Sequence, residues 1–157
     1  MQTICRLILP KSFGGSEVEV LFLNLDHRVK RIDFVETLNQ YLSTKATLNV
    51  STKRQIVESS LHRLWIIDIF DWESYELCPF KIVEFLSSNR LISLLAVDSL
   101  SAFFNFCRLQ APGQSLYFDR FIQQEVQRFT FRQFDIQLIY CKQVILSTLS
   151  RMIPFYI

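Results

Sequence analysis

Leu91-Ile92-Ser93-Leu94-Leu95-Ala96-Val97-Asp98-Ser99-Leu100-Ser101 is an apolar run too short to span a membrane, closed by a carboxylate and two hydroxyls. A run of this length, apolar at both alternating positions, predicts a parallel strand covered by helices on both faces. Sheets of that kind bind ligands beyond the carboxyl ends of their strands, and this strand would deliver Asp98 there. Two roles suit a carboxylate in that place. It can hold the magnesium of a bound triphosphate, or it can cap the turn that follows.

The rest of the chain fits a domain around such a strand. Its 157 residues suffice for one domain with a sizeable core, and half of them are hydrophobic. Fifteen are Phe and only 20% are charged, which excludes a disordered chain. A net charge of +2 is too small to argue by itself for nucleic acid or a membrane surface. Cys5, Cys78, Cys107 and Cys141 are widely spread with no Cys-x-x-Cys pair, as reduced thiols of the cytosol or nucleus are. Asp26, Asp68, Asp71 and Asp98 interrupt every candidate membrane span, so no membrane partner is expected. Arg6 and Lys11 flank too few apolar residues for a signal peptide.

In chain order, residues 1–9 read as the tail of a helix, stopped by Pro10 and Gly14-Gly15. Val18, Val20, Leu21, Phe22, Leu23 and Leu25 predict a mostly buried strand ending in Asn24-Leu25-Asp26-His27. Asp33 with Glu36 resembles a capping box ahead of a helix carrying Phe34, Leu38, Tyr41 and Leu42. Ser51 is the expected cap of a second helix, with Ile56, Val57 and Leu61 inward and Lys53, Arg54 and Glu58 toward water. Residues 64–70 predict another strand in which Asp68 is an outlier, and Pro79 reads as the first residue of a short helix. Beyond the Asp98 strand come a turn-rich piece at 110–113, a long helix lined by Leu116, Phe121, Ile122, Val126 and Phe129, and a strand at 136–141. Strands separated by helices throughout imply an α/β fold with a mostly parallel sheet. Without a repeat or linker to divide it, residues 1–157 are expected to form a single domain.

Taken together, Leu9-Pro10-Lys11-Ser12, Gly14-Gly15, Glu17-Val18-Glu19-Val20-Leu21-Phe22, Asp26, the segment from Val97 to Phe103 and Gln143 resemble a RecA-type recombinase paralogue. The resemblance runs from Ile8 to about Leu146; residues 9–22 and 95–103 carry it, and the helices between match in pattern. It implies a RecA-like P-loop NTPase core, a mostly parallel sheet with helices on both faces, a nuclear location, homologous recombination repair, and assembly with other recombinase paralogues. Asp98 matches the Walker B aspartate, the magnesium position if nucleotide binds, and Ser99 the small hydroxyl residue after it. Asp26 falls where active relatives carry the glutamate that orients the attacking water. Aspartate is a methylene shorter, and hydrolysis depends on positioning. Gln143 matches the glutamine that reports nucleotide state to the DNA-binding loop; a polar residue at a strand end is its plainer reading.

The largest departure is an absence. Gly14, Gly15 and Gly113 are the only glycines, and none falls in a Gly-x-x-x-x-Gly-Lys-Ser/Thr pattern, so no ring of backbone N–H groups cradles phosphates. Matched to the family, Met1 lies within the helix that follows that loop, so the fold is expected to lack the phosphate-loop strand and to be N-terminally incomplete. No cofactor is expected in this chain; ATP and magnesium are expected only if the missing loop is present. Losing that strand is expected to leave unpaired backbone and exposed apolar faces. The expected role is therefore association rather than catalysis, with an ATP-dependent, DNA-binding RecA-type ATPase completed by upstream sequence as the alternative.

DNA contact is expected through the complex. The first family DNA loop, placed at 105–114, offers only Arg108, and the second, at 144–157, only Arg151, where phosphate neutralisation needs several cations together. Phe103, Phe104 and Phe106 beside a buried strand read as core before they read as base-stacking rings. His27 and His62 have no partner at metal-ligand spacing, and no base is nominated for a cysteine nucleophile. Asp68 and Asp71 mark the exit from the second strand, and Trp65 and Trp72 are assigned to packing.

Overall fold

A computed structural model describes residues 1–45, 48–89, 91–110, 118–130 and 137–140. In chain order its elements are α1 (Gln2–Ile8), a 3-10 turn (Lys11–Phe13), β1 (Glu19–Asn24), α2 (Arg31–Lys45), α3 (Val50–Leu61), β2 (Leu64–Asp68), α4 (Trp72–Ser88), β3 (Ile92–Asp98), α5 (Phe104–Gln110), α6 (Phe118–Arg128) and β4 (Gln137–Tyr140). The four strands form one sheet in the order β2-β1-β3-β4, and every neighbouring pair is parallel. The fold is α/β.

Alternation along the central strands explains why both faces need cover. Val20 and Phe22 of β1, with Leu94 and Ala96 of β3, enter one core with Ile4 and Ile8 of α1, Phe34, Leu38 and Leu42 of α2, and Ile56 and Val57 of α3. Leu21 and Leu23, with Leu95 and Val97, enter the other with Tyr75, Cys78, Ile82 and Leu86 of α4 and Phe121 and Ile122 of α6. Each fully buried Leu, Ile or Phe contributes roughly 1.5–3 kcal/mol of transfer free energy, so these two interiors supply the main folding term.

Several local expectations are corrected. Asp33 lies inside α2, where its Oδ2 accepts the Lys30 backbone N–H at 2.7 Å, the return half of a capping box with Lys30 ahead of the helix. Asn49, not Ser51, caps α3, its side chain accepting the Thr52 N–H at 2.7 Å. Pro79 sits within α4 rather than at its start, which belongs to Asp71. Residues 105–110, expected in a loop, are helical in α5. β3 is flanked by β1 on one side and β4 on the other.

Gly15 is fixed by crowding. A Cβ there would collide with the Leu9 carbonyl, because the chain turns back on itself as Gly15 N–H donates to Pro10 O and Glu17 N–H to Leu9 O. That turn feeds β1 directly into the middle of the sheet.

Candidate functional site at the carboxyl ends of the strands

The helices after β1 cover one face of the sheet, whereas α6 after β3 covers the other. Adjacent parallel strands whose connections leave to opposite faces open a crevice at their carboxyl ends, the usual ligand position in such sheets. Here that switch point lies between β1 and β3, and Asp26 and Asp98 flank it.

The two strand ends are stitched together. Asn24 is the register partner of both Asp68 and Asp98, so the row Asp68, Asn24, Asp98 crosses three strands on one face. One residue on, Leu25 N–H donates to Asp98 O at 2.6 Å. Asn24 Nδ2 donates to Asp68 Oδ1 at 2.6 Å and to Val29 O at 3.0 Å, which fixes the amide plane. Its Oδ1 is buried without a hydrogen bond, and so is Asp26 Oδ2. Asp26 instead faces its own Arg28, whose Nε lies 3.4 Å from that oxygen. The Asp98–Ser99 peptide is cis, and the buried Ser99 Oγ is 3.1 Å from Ser101 Oγ, turned into the bend that leaves β3. Gln143 lies outside the described residues.

Sequence reasoning missed Asn24 and His27. A polar residue at the end of an otherwise apolar strand was the visible signal for Asn24. His27 adopts φ 57°, a conformation in which His is enriched, and its ring stacks on Phe70 at 4.1 Å between centroids. Nε2 reaches Ile69 O at 2.9 Å and Nδ1 lies 3.7 Å from Asp68 Oδ1, so the residue after Asp26 ties the end of β1 to the end of β2. Only tertiary proximity reveals that tie.

The donor set of the rim is hard oxygen: Asn24 Oδ1 and the carboxylates of Asp26 and Asp98, the chemistry that suits magnesium. Yet no three His, Cys, Asp or Glu side chains among the described residues converge to share an ion. The sequence holds no Gly-x-x-x-x-Gly-Lys-Ser/Thr pattern to cradle phosphates. The residues present therefore do not fit a complete nucleotide site.

Burial pushes the Cys5 and Cys107 thiols up to about 11 and Cys78 up to about 12, away from the thiolate form that nucleophiles use. Phe103 and Phe104 pack partly buried against the core, while Phe106 is half exposed beside Trp72. Trp72 packs against the same core, and Trp65 stays partly exposed on the edge strand β2, its indole N–H 3.3 Å from Glu19 Oε2. Among the described residues no helix is long and apolar enough to cross a membrane.

No family model matches the chain. It is similar to a mouse (Mus musculus) protein described as DNA repair protein XRCC2, with 31% identity over 111 residues, 71% of this chain and 37% of the mouse protein. The chain thus spans little more than a third of the curated relative it matches.

Proposed function

We propose that this chain is a RecA-like subunit of homologous recombination repair that acts by assembly with other recombinase paralogues, not by catalysis of its own. One observation carries the reading: β1 and β3 bring Asp26 and Asp98 to the same end of the sheet, across the switch point, while the sequence holds no phosphate cradle. Similarity to a protein named for DNA repair supports the process. On this reading the 157 residues act as a single RecA-like core domain in the nucleus, and DNA is reached through the complex.

Co-expression with recombinase paralogues followed by size-exclusion chromatography tests it. The expected result is a complex of fixed stoichiometry and a gain in soluble chain; elution free of every paralogue contradicts the proposal.

The placement of Asp98 and Asp26 also favours a second reading, an ATP-dependent, DNA-binding RecA-type ATPase whose phosphate loop is supplied upstream. In that case Asp98 would hold magnesium, Asp26 would orient water, and Ser99 and Gln143 would serve the nucleotide. An upstream-extended protein that binds ATP where this chain does not would favour this reading.

A further inference from the structure

Where β2 leaves the sheet, its side chains alternate: Asp68 and Phe70 are exposed, and Ile69 between them is buried. Phe70 is 76% exposed, while Trp72 just beyond it packs against the core. A ring left in water is ordinarily loose. This one lies flat on the His27 ring, with 4.1 Å between centroids and 4° between planes, so one face is taken and the other is open.

His27 also holds the neighbouring carboxylate. Its Nδ1 lies 3.7 Å from Asp68 Oδ1, and the same oxygen accepts an N–H from Asn24 Nδ2 at 2.6 Å. Both ties use Oδ1 and the side chain is still 46% exposed, which leaves Oδ2 to a donor from outside. An aromatic face and a carboxylate, both pinned by His27, thus stand ready side by side, the preorganisation that lowers the entropic cost of binding.

Charge selects the occupant. From Leu64 to Phe80 the sequence carries Asp68, Asp71, Glu73 and Glu76 and not one Lys, Arg or His. Asp71 is held by Ser74 as the cap of α4, so Asp68 is the carboxylate beside the ring that remains for a ligand. Cations from the surrounding elements are engaged or lie elsewhere. Arg28 pairs with Asp26 at 3.4 Å, Lys30 and Arg31 lead into α2 on the opposite face of the sheet, and Arg128 donates to Tyr75 O and Glu76 O. Lys81 is exposed on α4, but nine residues and so about 14 Å along the helix from Trp72. A planar cation suits both surfaces at once: a guanidinium stacks on an aromatic face while its N–H edge reaches a carboxylate, which a compact ammonium does not match.

We infer that Phe70 and Asp68 form a docking point for an arginine side chain of a partner protein, its guanidinium stacked on the open face of Phe70 and its N–H edge donating to Asp68 Oδ2. The contact requires neither the nucleotide rim nor a recombinase paralogue, and so it goes beyond the function proposed above.

Fluorescence anisotropy of a dye-labelled peptide carrying paired arginines, titrated with the purified chain, tests this. The arginine peptide should bind saturably, its lysine version several-fold more weakly, and its citrulline version, flat but neutral, not at all. Phe70→Ala and Asp68→Asn should each weaken the arginine peptide about tenfold, with melting midpoints near that of the wild type because both side chains are exposed. Phe70→Trp keeps a ring with a stronger pull on cations; it should bind at least as tightly as the wild type, and it decides the matter if Phe70→Ala fails to fold. No binding of the arginine peptide overturns the inference. So does equal binding of the citrulline peptide, or a loss on Glu73→Gln with Glu76→Gln as large as that on Asp68→Asn, which would mean diffuse acidity rather than a built site. Co-elution with paralogues is untouched by any of these results, so the two proposals fall separately.

Discussion

The two faces of the sheet are closed on different terms. On the α1–α2–α3 side the interior holds no charged group among the described residues, its buried Ser60 hydroxyl donating to Ile56 O at 2.7 Å, and Phe34 is fully buried with its ring edge-on to Phe22 at 5.5 Å. On the α4–α6 side the interior also holds a buried carboxylate: Glu125 accepts the Tyr75 hydroxyl and faces Arg128 Nη1 at 3.6 Å. Pro79 explains the difference. Lacking an N–H, it offers no intrahelical bond to the Tyr75 carbonyl, and Arg128 Nη2 donates there instead at 3.0 Å and to Glu76 O at 2.8 Å. The guanidinium also lies 4.8 Å from the centre of the Tyr75 ring. A proline tolerated inside a helix is thus answered by an arginine from another helix, and that arginine brings a buried acid with it.

The largest expected effect tests the apolar face. Phe34→Ala should cost about 3–5 kcal/mol, because it removes a buried ring and leaves a cavity against β1. Urea unfolding with an unchanged m-value would register it as a lower midpoint. Next comes Arg128→Ala, expected to cost about 1.5–3 kcal/mol by freeing two helix carbonyls and leaving Glu125 without its cation. Arg128→Lys should recover only part of that loss, since one ammonium does not reproduce the guanidinium fork. Asn49→Ala, confined to the start of α3, should cost about 1 kcal/mol in the same assay.

The smallest effect is one of sign. Burial raises the Glu125 carboxyl above its ordinary value of 4.5, against the opposing pull of Tyr75 and Arg128. A raised acid contributes stability that is present at low pH and lost as pH rises through its folded-state value. Asp71 has the opposite sign: the Ser74 backbone N–H and hydroxyl hold it below 3.8, so its contribution is present above that value and lost as pH falls. Melting midpoints of Glu125→Gln and the wild type should coincide in acid, and the variant should gain relative to the wild type as pH rises. A difference that shrinks with rising pH would mean Arg128 outweighs desolvation.

Much of the sheet was legible because its central strands are buried on both faces and edge strand β2 is still mostly apolar. The runs around Phe22, Ile66 and Leu95 each announce a strand, and Phe121, Ile122 and Phe129 announce the apolar side of α6. Helix starts were less legible: Ser51 and Asn49 are both good caps, and only the bond to Thr52 N–H separates them. Pro79 misled because its tolerance depends on Arg128, which lies 49 positions away. At the rim, the positions of Asp26 and Asp98 followed from strand ends, whereas Asn24 and His27 act through Asp68, Ile69 and Phe70 of another strand and its exit. Cross-strand register is not written in any local stretch.

Calorimetric titration of magnesium–ATP into the purified chain tests the central claim most directly. The account predicts no saturable heat, for the wild type and for Asp98→Asn alike, because a carboxylate rim without a phosphate cradle holds no nucleotide. Saturable binding by the wild type that Asp98→Asn abolishes would contradict it.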